Sequence, residues 1–430
     1  MTTRRAILAA VLVASVALLI IVIGWEPAER APSGPSTDLK IVVVGVDGLD
    51  WFLMRQFIED GSLPAISSFL RRGITGEISA DLPSVPETGW TVLARGKDLT
   101  ETERVRLSDG GRLFGLAPEL VEVVARSGGK ALSVGWPASW PVESSPAMVV
   151  APYRQDASVH ETALPAAIMA GDAVSSSSEV SDRVAAALAR SESECEAEFR
   201  RRIFDGDSSD GWDEHLLAAR WAFLSDLTTI EVAAGLLADE EPDLTMVCFG
   251  GMDAVTHRFL VSAAPSFFPE TPPGHERYED VYRNYFVFID SCIERLRRLT
   301  DEDDTVFILC STYGTHPSVD IPMISGAHTN GPPGVLILRG PDIPRRQRAL
   351  SLSGVDLGPT ILALLGVEIP LDMDGRVLQA TLPPAIMSDH PPQYSGSIEP
   401  SGVEPATSDL EAAEARVSER LNSLRDGMTR

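Results

Sequence analysis

Asp253 and His257 stand four residues apart in the stretch Pro242 to His257, which reads PDLTMVCFGGMDAVTH. A carboxylate oxygen and an imidazole nitrogen are both ordinary zinc ligands. On a helix, that spacing sends both side chains from one face, one turn apart, where they can share a cation. The pair alone is a weak signal, because the same spacing occurs by chance and on solvated helix faces, and a zinc site asks for a third ligand. His160, His215, His275 and His390 have no partner at ligand spacing and read as surface or packing residues.

Such side chains need elements to aim them. Leu244 to Phe249 is a short apolar run bounded by Pro242 and by Gly250-Gly251, which predicts a buried strand running into a loop and then a helix start. Ile41 to Val46 is another continuous apolar run rich in β-branched residues, the pattern of a central parallel strand covered on both faces. It ends at Asp47-Gly48. Ligands in open α/β sheets bind at the carboxyl ends of strands, which is where Asp47 would lie, although a D-G pair is also a common turn signal. Helix-like and strand-like stretches alternate from Phe52 to Leu365, predicting an α/β domain with a mostly parallel sheet. Trp90, Trp136 and Trp140 read as core.

Composition bounds the rest. The 430 residues are 44% hydrophobic, enough for a sizeable core, and the formal net charge is -26. That charge argues against nucleic acid as a partner and against electrostatic attachment to anionic lipid. The four cysteines show no C-x-x-C spacing, and Cys248 and Cys310 fall in apolar runs.

Residues 6–24 are apolar except for Ser15 and would make a helix of about 28 Å, close to the hydrocarbon thickness of a bilayer. Arg4 and Arg5 precede this run and Glu26 and Glu29 follow it, so the expectation is a single-pass anchor in the cell membrane. Its N-terminus would be cytoplasmic and its globular domain extracytoplasmic. A cleaved signal peptide is the competing reading, but no small-x-small site follows the run. The expected organisation is an anchor at 6–24, a linker at 25–38, a domain at 39–381 with a cap or insert at 98–240, a Pro/Ser-rich linker at 382–408 and an amphipathic helix at 409–427.

The ordered motifs VVVGVDGLDW (Val42 to Trp51), PSVPETGWTVLARGK (Pro83 to Lys97), PDLTMVCFGGMDAVTHRF, DDTVFILCSTYG (Asp303 to Gly314) and GAHTNGPPGVLILRGPDI (Gly326 to Ile343) resemble the alkaline phosphatase superfamily. The specific likeness is to its type I phosphodiesterase/nucleotide pyrophosphatase branch, over roughly Leu39 to Leu378. The resemblance implies a three-layer α/β/α sandwich and a site with two divalent metal ions, usually zinc, beside a Ser or Thr nucleophile. It implies metal ligation by Asp47, Asp253, His257 and His328. Asp253, His257 and His328 would form one complete site.

The other half departs from the pattern. The S-D-H-G motif falls on Ser311-Thr312-Tyr313-Gly314, so an Asp-His ligand pair is replaced by Thr312 and Tyr313. The nucleophile position falls on Pro86, which has no nucleophilic oxygen. Thr88 or Ser84 would be replacement nucleophiles after a loop shift, with Thr88 the weak candidate retained, and His316 would be a replacement imidazole. The expectation is therefore one divalent ion, zinc, in preference to two. Two functions remain open: metal-dependent phosphate-ester hydrolysis with impaired or altered activity, or a catalytically inactive relative that binds a phosphorylated ligand or serves an envelope-structural role.

Overall fold

The computed structural model describes residues 34–79, 86–100, 119–137, 139, 145–150, 177–205, 213–321, 324–328, 331–344 and 350–396. The expected anchor at 6–24, the C-terminal helix at 409–427 and Ser84 lie outside the described residues. In chain order the elements are β1 (Lys40–Val46), α1 (Trp51–Glu59), α2 (Pro64–Arg72), β2 (Ile74–Ile78), α3 (Pro86–Arg95), α4 (Leu120–Arg126), β3 (Ala131–Val134) and β4 (Met148–Val150). Two long helices follow, α5 (Ser178–Arg202) and α6 (Glu214–Glu240), then β5 (Leu244–Phe249), α7 (Gly251–Ala263), α8 (Glu279–Arg298) and β6 (Thr305–Cys310). A hairpin of β7 (His316–Ile321) and β8 (Ile324–Ala327) precedes β9 (Gly334–Arg339), β10 (Leu350–Leu352), α9 (Leu357–Leu365) and α10 (Pro384–Asp389).

Eight strands form one sheet in the order β10-β2-β9-β6-β1-β5-β3-β4, and β7 and β8 pair separately. Only β9 runs against its neighbours β2 and β6; the other pairings are parallel. β1 lies between β5 and β6, with Gly45 in register with both Cys248 and Cys310. Its side chains alternate between two cores. Val42, Val44 and Val46 join the helices α1, α2, α5, α6, α7 and α8, whereas Ile41 and Val43 face a core shared with α3, α4 and α9. Burial on both faces explains why the strand reads as an unbroken apolar run rather than an alternating one. The result is the expected three-layer α/β/α sandwich.

Between 98 and 240, where the sequence pattern reads as a cap, the described residues supply β3 and β4 to the central sheet, and α5 and α6 bury residues in the larger core. The 27-residue α6 is apolar enough to cross a membrane, but 72% of its apolar window is buried inside this fold. It is a core helix, buried along most of its length for that reason.

Both expected linkers are shorter at their domain ends. Ser36 and Thr37 donate their backbone N–H groups to Leu365 O at 3.1 and 3.3 Å, so 34–38 is tied to the domain. Residues 382–396 carry α10, and Ser395 N donates to Ile369 O at 3.0 Å. Proline at 383, 384, 391 and 392 signals a linker by composition, but Leu382 and Ile386 are buried and hold the segment down.

Candidate metal centre

β5 delivers the chain to α7, and Asp253 lies in the first turn of that helix, where the positive end of the helix dipole favours a carboxylate. His257 follows one turn later. His328, 7% exposed, comes from the loop after β8, the strand that packs along α7. The three side chains meet. His328 Nε2 contacts Asp253 Oδ1, and His257 Nε2 lies 3.4 Å from that same oxygen. One ligand atom from each residue lies within 4.8 Å of the other two. Tetrahedral zinc with bonds near 2 Å separates its ligands by roughly 3.3 Å, so small side-chain adjustments suffice.

Backbone carbonyls fix the imidazole tautomers. His257 Nδ1–H donates to Gly326 O at 2.6 Å, and His328 Nδ1–H donates to Gly314 O at 3.1 Å, with Thr315 Oγ1 at 3.4 Å from the same nitrogen. Each bond leaves Nε2 as the atom turned to Asp253, so that loss of its proton would present a lone pair there, as metal-ligating histidines require. Burial raises the Asp253 pKa, but the hydrogen bond from His328 and the charges of His257 and His328 outweigh it and hold the carboxyl below its usual range. Burial likewise lowers the His328 pKa, and the bond to Asp253 reverses that and leaves it raised. The donor set of two imidazoles and one carboxylate fits a divalent cation.

Asp47 sits at the carboxyl end of β1, as expected, and is 5% exposed. It is not one of the three clustered ligands. Burial pushes its carboxyl up to about 7, aided by the negative charge of Asp253, while His328, Tyr313 and Trp90 pull the other way. The Tyr313 hydroxyl and the Trp90 indole lean towards the Asp47 carboxyl, yet among the described residues Oδ1 receives no hydrogen bond of good geometry. Gly48 turns with φ +74°, and a methyl there would meet the Asp253 Cα at 2.9 Å, so the D-G turn presses directly on the start of α7.

Where an Asp-His pair would complete a second site, the chain places Thr312, fully buried against Gly89 of α3, and Tyr313, whose ring packs on His328 with centroids 4.3 Å apart. Pro86 opens α3, a position where proline's missing N–H costs nothing. Thr88 is 1% exposed and its hydroxyl has no hydrogen-bond partner among the described residues, so none of these is in place to take its proton. His316 is at the base of β7, with Nδ1 bonded to Pro317 O at 2.9 Å, and is not in the cluster.

The family suggested by the motifs agrees with a direct comparison. Residues 41–326 match the family model of type I phosphodiesterase / nucleotide pyrophosphatase. The chain belongs to that family, and through it to the alkaline phosphatase superfamily. No protein of curated function matches the sequence. Among solved structures, a phosphonate monoester hydrolase from Silicibacter pomeroyi is 14% identical, with 85% of this chain and 78% of that one covered and a TM-score of 0.46. Human ectonucleotide pyrophosphatase / phosphodiesterase 5 is 11% identical over 80% of this chain and 98% of that one, with a TM-score of 0.44. A 2-O GAG sulfatase, BT1596, is 12% identical over 79% and 73%, with a TM-score of 0.47. Likeness at this level carries no argument about substrate.

The sequence motifs found all three clustered side chains. They missed Asp226, a buried carboxylate of α6 that accepts from the backbone at the start of α7. Its signal was the one charged residue between Trp221 and Ile230, in the buried middle of the helix, where a carboxylate is costly unless partnered.

Proposed function

We propose that this protein is a membrane-anchored, extracytoplasmic phosphate-ester hydrolase that works with one divalent cation, zinc, and has impaired or altered activity. The observation that carries this reading is the triad of Asp253, His257 and His328, with both histidines set by backbone carbonyls. A cation held there supplies Lewis-acid polarisation of a phosphoryl oxygen. The chain's own residues do the rest of the positioning. His257 and His328 present neutral Nε2 atoms, Asp253 contributes the negative charge, and Asp47 faces the triad from β1. The apolar run at 6–24 with Arg4 and Arg5 before it supports anchoring, and the net charge of -26 leaves nucleic acid outside its partners.

The test is turnover of a panel of phosphate mono- and diesters with added zinc or manganese. Turnover by the wild type that disappears in His257→Ala supports a hydrolase; equal turnover in both removes the triad from the reaction.

A second reading has its own observation. Thr312 and Tyr313 are poor metal ligands, and among the described residues the Thr88 hydroxyl has no hydrogen-bonded base. On that reading the protein is a catalytically inactive relative that binds a phosphorylated ligand or serves an envelope-structural role. No turnover with either metal, together with retained metal binding, favours it.

A further inference from the structure

An α-helix begins with backbone N–H groups that have no partner within the helix. The residue before α7 is Gly250, which has no side chain to satisfy them. The cap comes from two other helices. Asp226 of α6 is fully buried, and both its carboxylate oxygens accept from Gly251 N, at 3.2 and 3.1 Å. Tyr285 of α8, also fully buried, donates its hydroxyl to Asp226 Oδ2 at 2.9 Å. The fit leaves no space at Gly251: a methyl there would lie 1.9 Å from the Tyr285 hydroxyl oxygen and 2.5 Å from Asp226 Oδ2. The two glycines of the G-G pair thus differ, for a methyl at Gly250 would meet nothing within 4 Å.

Asp253 lies two residues beyond this clamp, and the Gly48 turn presses on its Cα from β1. Its backbone is therefore set from both sides. Side-chain groups that orient metal ligands commonly change metal affinity by about 10- to 100-fold when removed, because a ligand displaced by a fraction of an ångström loses its bond geometry. We infer that Asp226 and Tyr285 are positioning residues that set the cation affinity of the Asp253, His257 and His328 site by fixing the first turn of α7. The inference rests on the metal reading of that triad.

A capping carboxylate also stabilises the fold, so the test needs a control of equal structural weight. Asp290 of α8 is such a control. It accepts from Ala65 N at 3.0 Å and Ile66 N at 2.8 Å and caps α2, which carries none of the site residues. Zinc and manganese dissociation constants and Tm would be measured on the full-length chain for wild type, Asp226→Asn, Tyr285→Phe and Asp290→Asn. Asp226→Asn should weaken metal binding about tenfold and Tyr285→Phe by about threefold, while Asp290→Asn lowers Tm and leaves affinity unchanged. If Asp226→Asn lowers Tm as Asp290→Asn does but keeps metal affinity within about twofold, the clamp is only structural. If Asp226→Asn does not fold, Tyr285→Phe decides, and unchanged affinity there overturns the inference. A wild type that binds neither ion contradicts the metal assignment itself, an outcome distinct from any difference between variants.

Discussion

His328 has to give up a proton before it can hold a cation. Burial lowers its pKa and the bond to Asp253 outweighs that, so in the metal-free protein the pair favours imidazolium beside carboxylate. A cation competes with that proton. Zinc affinity should therefore rise by about tenfold per pH unit below the raised His328 pKa and level off above it, which titrations between pH 5.5 and 8 would show. Affinity that falls with rising pH in this window would mean that His328 is not a ligand. Tyr313 and Thr312 allow the complementary experiment. Thr312→Asp with Tyr313→His and Pro86→Thr should raise metal stoichiometry from one to two and increase ester hydrolysis. The triple variant should be less stable without metal, because it buries a new carboxylate at a site where Thr312 is fully enclosed.

At the scale of elements, the turn from β1 and the start of α7 are one unit. Gly48→Ala places a methyl 2.9 Å from the Asp253 Cα and forces an L-residue to φ +74°, so it should cost roughly 1–3 kcal/mol and weaken zinc binding together. A denaturant midpoint and a zinc titration on the same variant check both. Strands β1, β5 and β6 were legible because each, apart from Lys40 at the start of β1, is buried along its length and reads as a continuous apolar run between turn signals. Asp253 and His257 were legible because they share one helix. The third ligand, 71 positions beyond His257, was reached only through motif resemblance, since no local period links a loop histidine to a helix. Helix α5 was not legible: its sequence mixes Ser, Glu and Arg with few large apolar residues, and its buried side depends on Val184, Leu188, Cys195 and Phe199 meeting α6. Asp226 was invisible as a functional group for a related reason. Its partners, Gly251 and Tyr285, lie 25 and 59 residues away on other elements.

Across the whole molecule, buried carboxyls give the metal-free protein a definite pH dependence. Burial pushes Asp47, Glu119 and Asp226 up to about 7 and Asp290 up to about 6, so the native state binds protons that the unfolded chain releases near pH 4. Their contribution to stability is present at low pH and is lost as pH rises through those folded values. Burial of His215 lowers its pKa and opposes this trend. Glu294, held at about 2 by Arg297, is ionised throughout the window and contributes no slope. The metal-free protein should thus be more stable at pH 6 than at pH 8, by roughly 3–4 kcal/mol, and urea midpoints at the two pH values check it. Saturating zinc acts in the opposite direction, because its binding strengthens with pH and stabilises the state that holds it.

The number of metal ions per chain tests the account most directly. Elemental mass spectrometry on the full-length protein, loaded with zinc and desalted, should give one ion per chain, and His257→Ala should give none. Two ions would show that ligands other than Thr312 and Tyr313 complete a second site, and would contradict the one-cation account. No ion in the wild type would leave Asp253, His257 and His328 as a half-buried polar cluster and overturn the metal centre itself.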